Sequence, residues 1–313
     1  MQWAGENKTI SERPGQVQRV ISLVPSTTEI LFYLGLQDKV VGATEHCDFP
    51  GEARLKDKVG LFGQPRLSAI LSLEPDLVLA ERALHKRLVE ELRESGVNVL
   101  AYSPSGVEDV LRMISEIGQA CGVREQVRPV VDCLEERVRA LGKGAGHRPR
   151  VFRLMSANPY ITTGPGSFQY DALLKAGAQM MDFQTKDAYV RVSGDRIKQF
   201  DPEIILFCGI ARGQEPPPRC KGCHSSKPVC HRTVEDAIPE DWEQVAAVRA
   251  SRVYPIPCHL ICRPGPRLID GMGELAGHYL VIGTKEEAVL NENHGADWRP
   301  ELGINGCLLQ NNK

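Results

Sequence analysis

Apolar residues in this chain fall into short continuous runs separated by longer stretches of helical spacing. Residues 19–23 (RVISL), 40–43 (VVGA), 77–80 (LVLA) and 97–100 (VNVL) read as short buried strands. The helical stretch after the first of them opens at Pro25-Ser26-Thr27-Thr28-Glu29, where Ser26 and Glu29 have the spacing of a capping box. Ile30, Leu31, Leu34 and Leu36 supply its apolar side, and Gly35 marks its end. Residues 67–73 and 84–95 supply two more helical stretches, the second closed by Gly96. Strands alternating with amphipathic helices predict a parallel, doubly wound α/β lobe.

From 107 to 141 the period changes. Val107, Val110, Leu111, Ile114 and Ile117 recur at helical spacing. After an interruption at 118–122, Val127, Val130, Val131, Leu134, Val138 and Leu141 do so again, with Pro129 expected to kink the segment. A glycine-rich punctuation at 142–149 follows. Strand patterns resume at 151–154, Ile204–Cys208 and Val253–Ile256, with helical stretches at 168–177 and 268–280. The expected organisation is a flexible start (1–18), an α/β lobe (19–104), a helical linker (105–149), a second α/β lobe (150–283) and a weakly periodic tail (284–313).

A chain of 313 residues, 42% hydrophobic, can bury one large core or two medium ones. Its 38 basic and 40 acidic residues leave a net charge of -2, which gives no polyanion signature and argues against nucleic acid as partner. No apolar run approaches the roughly 20 residues of a membrane span. The opening MQWAGENKTISERPGQVQ lacks a cationic n-region and an apolar h-region. A cytoplasmic location is therefore expected on the sequence as given, and a periplasmic or surface one if the start is incomplete. Ten scattered cysteines suggest metal binding or plain burial before disulfides.

Two loops sit between a strand and a helix start, where backbone N–H groups gather: Pro25-Ser26-Thr27, and Thr163-Gly164-Pro165-Gly166-Ser167 with glycines that permit close approach. They read equally as ordinary capped helix starts, and neither carries a dinucleotide or P-loop fingerprint. There is no G-x-S-x-G elbow, no H-E-x-x-H and no telling carboxylate pair, so an enzyme is not expected.

The segments VISLVPSTTEILFYLGL, VVGATEHCDFP, LSAILSLEPDLVLA and RPGPRLIDGMGELA, in that order from about residue 19 to about 282, resemble the helical-backbone periplasmic binding proteins. More narrowly they are similar to the cobalamin-binding subunits of ABC importers and their signal-less relatives. The resemblance implies an α/β fold of two doubly wound lobes joined by a long rigid helix, with a ligand cleft between lobes and little domain closure. It implies a monomer that holds a corrinoid without catalysis, or alternatively another metal chelate such as haem or a siderophore. Carried over by motif, the ligand-facing positions are Pro25, Ser26 and Thr27; Glu45 and His46; Phe62 and Gly63, the aromatic one placed against the corrin; Glu81 and Arg82; and, on the opposite wall, Gly164, Gly166, Ser167, His259 and Arg263. His46 or His259 is either an axial ligand to the metal or a histidine hydrogen-bonded in a loop. Importer-associated members dock on an ABC permease through a glutamate on each lobe. This chain has Ser68 and Cys262 at the corresponding places, which puts docking in doubt.

One stretch departs from the family pattern. RCKGCHSSKPVCHR, within an insertion at 211–235, places Cys220, Cys223 and Cys230 at C-x2-C-x6-C spacing with His224 and His231 adjacent. The C-x-x-C-H run also fits covalent haem attachment, which needs export machinery and ranks below the other readings. A C-x-x-C turn places two thiolates on one tetrahedral metal, and Cys208, Cys258 or Cys262 would complete a site for zinc or an iron–sulfur cluster. The alternative is a disordered loop that happens to carry cysteines, and a third reading has the patch doing redox or transfer chemistry.

Overall fold

The structure, a computed structural model, describes residues 17–141, 147–210, 215, 231–256, 261–280 and 307. The first lobe contains β1 (Val20–Ser22), α1 (Pro25–Tyr33), β2 (Val40–Ala43), β3 (Asp57–Lys58), a β4–β5 hairpin (Gly60–Leu61 and Gln64–Pro65), α2 (Leu67–Leu71), β6 (Leu77–Glu81), α3 (Lys86–Glu94) and β7 (Asn98–Tyr102). Its five-stranded sheet runs β3-β2-β1-β6-β7, and every pairing is parallel. The four strands read from the sequence are all present within a residue or two. Both faces of β6 are covered, which is why its pattern is a continuous apolar run rather than an alternation.

Two helices connect the lobes, α4 (Val107–Ala120) and α5 (Arg124–Ala140). The connector is made of two helices that meet at the interruption seen in the sequence pattern. The break falls at Cys121-Gly122, where Gly122 takes φ +80, a conformation glycine adopts without a Cβ penalty. The two helices then fold back on each other so closely that a Cβ on Gly118 would lie 2.3 Å from Val127 Cγ2. Pro129 sits inside α5, which continues through it to Ala140.

The second lobe contains β8 (Arg150–Leu154), β9 (Ser156–Ala157), β10 (Tyr160–Thr163), α6 (Phe168–Lys175), β11 (Gln179–Met180), β12 (Tyr189–Arg191), α7 (Gly194–Phe200), β13 (Ile204–Cys208), α8 (Val234–Ala237), α9 (Ala246–Arg249), β14 (Val253–Ile256) and α10 (Pro266–Glu274). Its parallel sheet runs β11-β8-β13-β14, and a small antiparallel sheet, β12-β10-β9, lies beside it. Among the described residues no helix is long and apolar enough to cross a membrane. The cysteine-rich stretch 219–232 lies outside the described residues except for His231 and Arg232, so the metal reading of Cys220, Cys223, His224 and Cys230 does too. Among the described residues no group of three or more His, Cys, Asp or Glu side chains forms a metal site. One expectation about the cysteines is corrected: Cys133 on α5 and Cys307 form a disulfide with Cα atoms 5.8 Å apart.

Buried apolar residues of both lobes belong to one continuous cluster that runs through α1, α4, α5, α6 and α10. A second, smaller cluster fills the other face of the first sheet beneath α2 and α3. Polar contacts also cross between the lobes. Asp171 on α6 accepts from Val107 N–H at 2.7 Å and so caps the start of α4, while Lys175 reaches Glu108 at 2.9 Å. Arg137 on α5 donates to Asp270 on α10 at 2.6 Å.

The deepest of these crossings overturns the capping-box expectation. α1 starts on Pro25 with Val24 at the N-cap and no side-chain cap, because Glu29 reaches instead across to α10. Its carboxylate accepts from Arg267 at 2.6 Å, and the two side chains are only 3% and 6% exposed. Removing one member of such a pair strands a buried charge at a cost of about 3–5 kcal/mol. Glu29→Gln or Arg267→Met is therefore expected to lower the melting temperature by on the order of 10 °C. The double variant Glu29→Met/Arg267→Met is expected to recover part of the loss. Thermal denaturation of the single variants within a degree or two of the parent would reject this.

Candidate ligand-binding site

In open parallel sheets ligands gather at the carboxyl ends of the strands, and the loops there set the chemistry. Three loops of the first lobe converge at that edge. Thr44, Glu45 and His46 follow β2, Phe62 and Gly63 form the tip of the β4–β5 hairpin, and Glu81 ends β6 with Arg82 next to it.

The hairpin tip is held by two imidazoles. Phe62 N–H donates to His46 Nδ1 at 3.2 Å, and Phe62 C=O lies 2.6 Å from His85 Nε2. His85 Nδ1 in turn accepts from Glu81 N–H at 3.1 Å. An imidazole nitrogen that accepts cannot carry the proton, so each ring has its hydrogen on Nε2. His85, 3% exposed, is thereby fixed as a brace between two loops. The Phe62 ring stands edge-on between them, with centroids 6.3 Å from His46 and 5.7 Å from His85. It is half-buried, a pre-positioned apolar surface beside the exposed Gly63.

Of the two readings of His46, an axial ligand or a histidine hydrogen-bonded in a loop, its bond with Phe62 matches the second. His46 Nε2 bears the proton and offers no lone pair to a metal while Nδ1 accepts from Phe62. In this geometry His46 suits an acceptor at a ligand's rim rather than an axial position. His259 lies outside the described residues.

Glu81 is also committed to the loop. Its carboxylate accepts from Leu84 N–H at 2.5 Å and from Ser103 Oγ at 3.0 Å, and Arg82 donates to Ala101 C=O at 3.1 Å. Ser26 and Thr27 are buried, 2% and 1% exposed. Thr27 and Thr28 hydroxyls both bond Ser22 Oγ at 2.7 Å, which ties the turn down from within.

On the second lobe the two glycines serve a different approach from the one expected. A Cβ on Gly164 would lie 2.3 Å from Asp187 O, and one on Gly166 only 1.9 Å from Lys186 O. The close neighbour is the chain's own 186–188 segment. Gly164 and Gly166 N–H groups donate to Ala188 O at 2.8 Å and Asp187 O at 3.2 Å, so they are engaged internally. Ser167 caps α6 by accepting from Gln169 N–H at 3.2 Å.

Segment 263–267 meets the first lobe directly. Arg263 donates to Asp48 at 2.7 Å. The Arg267 guanidinium lies 3.6 Å above the Phe49 ring while it pairs with Glu29. Gly265 lies against α1, where a Cβ would meet Glu29 Oε1 at 3.4 Å and Ser26 O at 3.5 Å, in ordinary contact. Pro25–Thr27 and Arg263 therefore sit at a lobe-to-lobe contact at the edge of the site. The sequence reading missed His85, Phe49 and the Glu29–Arg267 pair. The four-residue spacing of Glu81 and His85 was an available signal for the first.

These features describe a two-lobed α/β protein in which two imidazoles hold Phe62 at the strand-end edge of the first lobe. The chain belongs to the periplasmic binding protein family, whose model matches residues 20–258. Its members are substrate-binding proteins of the ABC importer type and hold ligands without catalysis. An ABC transporter substrate-binding lipoprotein of Bacillus subtilis, YvrC, is 28% identical over 285 residues, 87% of this chain and 82% of the relative. A vitamin B12-binding protein of Vibrio parahaemolyticus is 26% identical over 281 residues, 88% of this chain and 94% of the relative. Among solved structures, the periplasmic vitamin B12-binding protein BtuF of Vibrio cholerae superposes with a TM-score of 0.62 at 22% identity, covering 85% of this chain and 98% of that one. The periplasmic haem-binding protein HutB of Vibrio cholerae does so with a TM-score of 0.67 at 17% identity, covering 83% and 97%. The names of these relatives, periplasmic or lipoprotein, lend no support to the cytoplasmic expectation.

Burial pushes the Asp48 carboxyl upward, but hydrogen bonding and charge from Arg263 outweigh it and hold the group below its ordinary 3.8. A depressed carboxylate stabilises the fold above its unfolded value, and that contribution is lost as pH falls through the folded one. The melting-temperature advantage of the parent over Asp48→Asn is thus expected to be constant near neutrality and to shrink below about pH 4. An advantage that grows on acidification would contradict the assignment.

Proposed function

We propose that this protein binds a corrinoid of the cobalamin type between its lobes and delivers it to an ABC permease outside the cytoplasmic membrane. The observation that carries the reading is the Phe62 platform, locked at both its N–H and its C=O by His46 and His85. A corrin is a wide apolar disc edged with amides. It takes a flat aromatic contact on its face and hydrogen-bond donors at its rim, which Phe62 and His46 Nε2–H supply. The similarity to vitamin B12-binding proteins over most of both chains supports the same ligand class. The Cys133–Cys307 disulfide supports an oxidising compartment. Neither Ser68, exposed on α2, nor Cys262 supplies a docking carboxylate, so this reading places permease contact on other side chains.

The test is a visible absorption titration with aquocobalamin under anaerobic conditions. The starting spectrum reports haem or an iron–sulfur chromophore, including one held by the Cys220–Cys223 stretch. Saturable retention at micromolar ligand is expected. Phe62→Ala is expected to weaken it by about tenfold or more, the loss of one buried aromatic contact. Because His46 Nε2 carries a proton, retention is expected without the band shift of imidazole exchange at cobalt. Absence of retention after desalting would reject the corrinoid, and a Soret band in the purified protein would replace it with haem.

A further inference from the structure

Arg153, on the central strand β8, is fully buried, 0% exposed, between Phe152 and Leu154. A guanidinium in that position requires a compensating anion, because an isolated buried charge costs far more than the fold can supply. Here it lies against sulfur. Arg153 Nη2 donates to Cys208 Sγ at 2.8 Å and to Cys262 Sγ at 3.6 Å. Its Nε and Nη1 have no hydrogen-bond partner. Burial works against its charge, and the two sulfurs more than offset that and raise its hold on the proton.

The two sulfurs are 3.8 Å apart and not bonded to each other. Cys208 ends β13, deep in the wall, while Cys262 is half-buried just before the segment that meets the first lobe. A cationic neighbour, one partly accessible sulfur and a second sulfur within reach are the conditions under which a thiol pair reacts. The other two reduced thiols among the described residues differ. Burial pushes the Cys121 thiol up to about 11 despite Lys39, and Cys47 is buried in hydrogen bonds to Thr44 and Ser22.

We propose that Cys208 and Cys262, with Arg153 as the fixed cation, form a thiol–disulfide exchange site on the wall of the second lobe, reactive toward low-molecular-weight disulfides. Cys262, the accessible sulfur, attacks one sulfur of the disulfide as thiolate. A mixed disulfide forms and one small thiolate leaves. Cys208, held as thiolate by Arg153, then attacks Cys262 Sγ, which forms the Cys208–Cys262 bond and expels the second small thiolate. Two electrons pass from the pair to the small disulfide; the proton that Cys262 gives up goes to one released thiolate, and the other takes its proton from water. Oxidation removes the charge that faces Arg153 and leaves a buried guanidinium without its anion. The protein disulfide is therefore readily reduced again, as a switch requires and a structural bridge does not. The site stands independently of the ligand held by the cleft.

The experiment exposes the full-length reduced protein to oxidised glutathione, quenches with acid, alkylates and maps peptides by mass spectrometry. A Cys208–Cys262 linked peptide, lighter by two hydrogens, is expected to form at least about tenfold faster than any adduct at Cys47 or Cys121. Arg153→Met is expected to slow linkage by about tenfold, with Arg153→Lys restoring most of the rate. A glutathione adduct that persists on Cys262, or linkage of Cys262 to another cysteine, would overturn the pairing. An unchanged rate in Arg153→Met would overturn the role of the guanidinium. Should that variant fail to fold, the parent protein still decides, since absence of the linked peptide rejects the site.

Discussion

A carboxylate from one lobe and a guanidinium from the other, both almost wholly out of water, set the relation between the two halves of this molecule. Glu29 and Arg267 meet at 2.6 Å where α1 and α10 approach each other. Desolvation of two ions costs several kcal/mol each, so the pair is weak as a source of net stability. Its effect is on specificity, because any docking of the lobes that separates these groups leaves a charge stranded. The neighbouring residues are subordinate to that contact. Phe49 covers the guanidinium face, and Asp48 with Arg263 continues the ion pairing outward.

Rigidity follows from the same region. The apolar core is continuous from the first lobe through α4 and α5 to the second, and Asp171 caps α4 from across the boundary. Opening the lobes by a hinge would expose that core and uncap that helix together. Packed cores do not deform continuously, so a ligand here meets walls that are already formed. Recognition then rests on what the loops present before binding, and those loops are correspondingly braced. Ser22, Thr27 and Thr28 tie the first turn, Glu81 and Ser103 the third, and two histidines the hairpin between them.

The longer strands of both parallel sheets were legible in the sequence because strands covered on both faces need uninterrupted apolar residues, as in Leu77–Glu81 and Ile204–Cys208, whereas the two-residue edge strands β3 and β11 carry no such run. The small antiparallel sheet was not. Tyr160–Thr163 and Tyr189–Arg191 are short and half-exposed, and they pair over a long sequence separation that no local pattern announces. The site was legible as a set of loops but not as chemistry. Ser26 and Glu29 have the spacing of a cap, yet Glu29 finds a stronger partner 238 residues away. Gly164 and Gly166 looked like room for a ligand, and the room is filled by Lys186 and Asp187. In each case a local rule lost to a long-range contact that only the fold brings into being.

The histidines carry that point into specificity. A lone imidazole in such a loop reads as a metal ligand or as a hydrogen-bonded brace, and the neighbours of His46 match the second. Once Nδ1 accepts from Phe62 N–H, the proton belongs on Nε2, and the ring can address only acceptors. His85 repeats the arrangement from the other side and shields the Phe62 carbonyl. Both rings therefore hold the aromatic platform in place instead of reaching for a metal. A wall built this way would, under the corrinoid reading proposed above, distinguish ligands by the shape of their face and the acceptors on their rim, whichever metal lies at the centre. Under the corrinoid reading, selectivity on this side of the cleft belongs to the macrocycle, and any discrimination by metal must come from the opposite lobe.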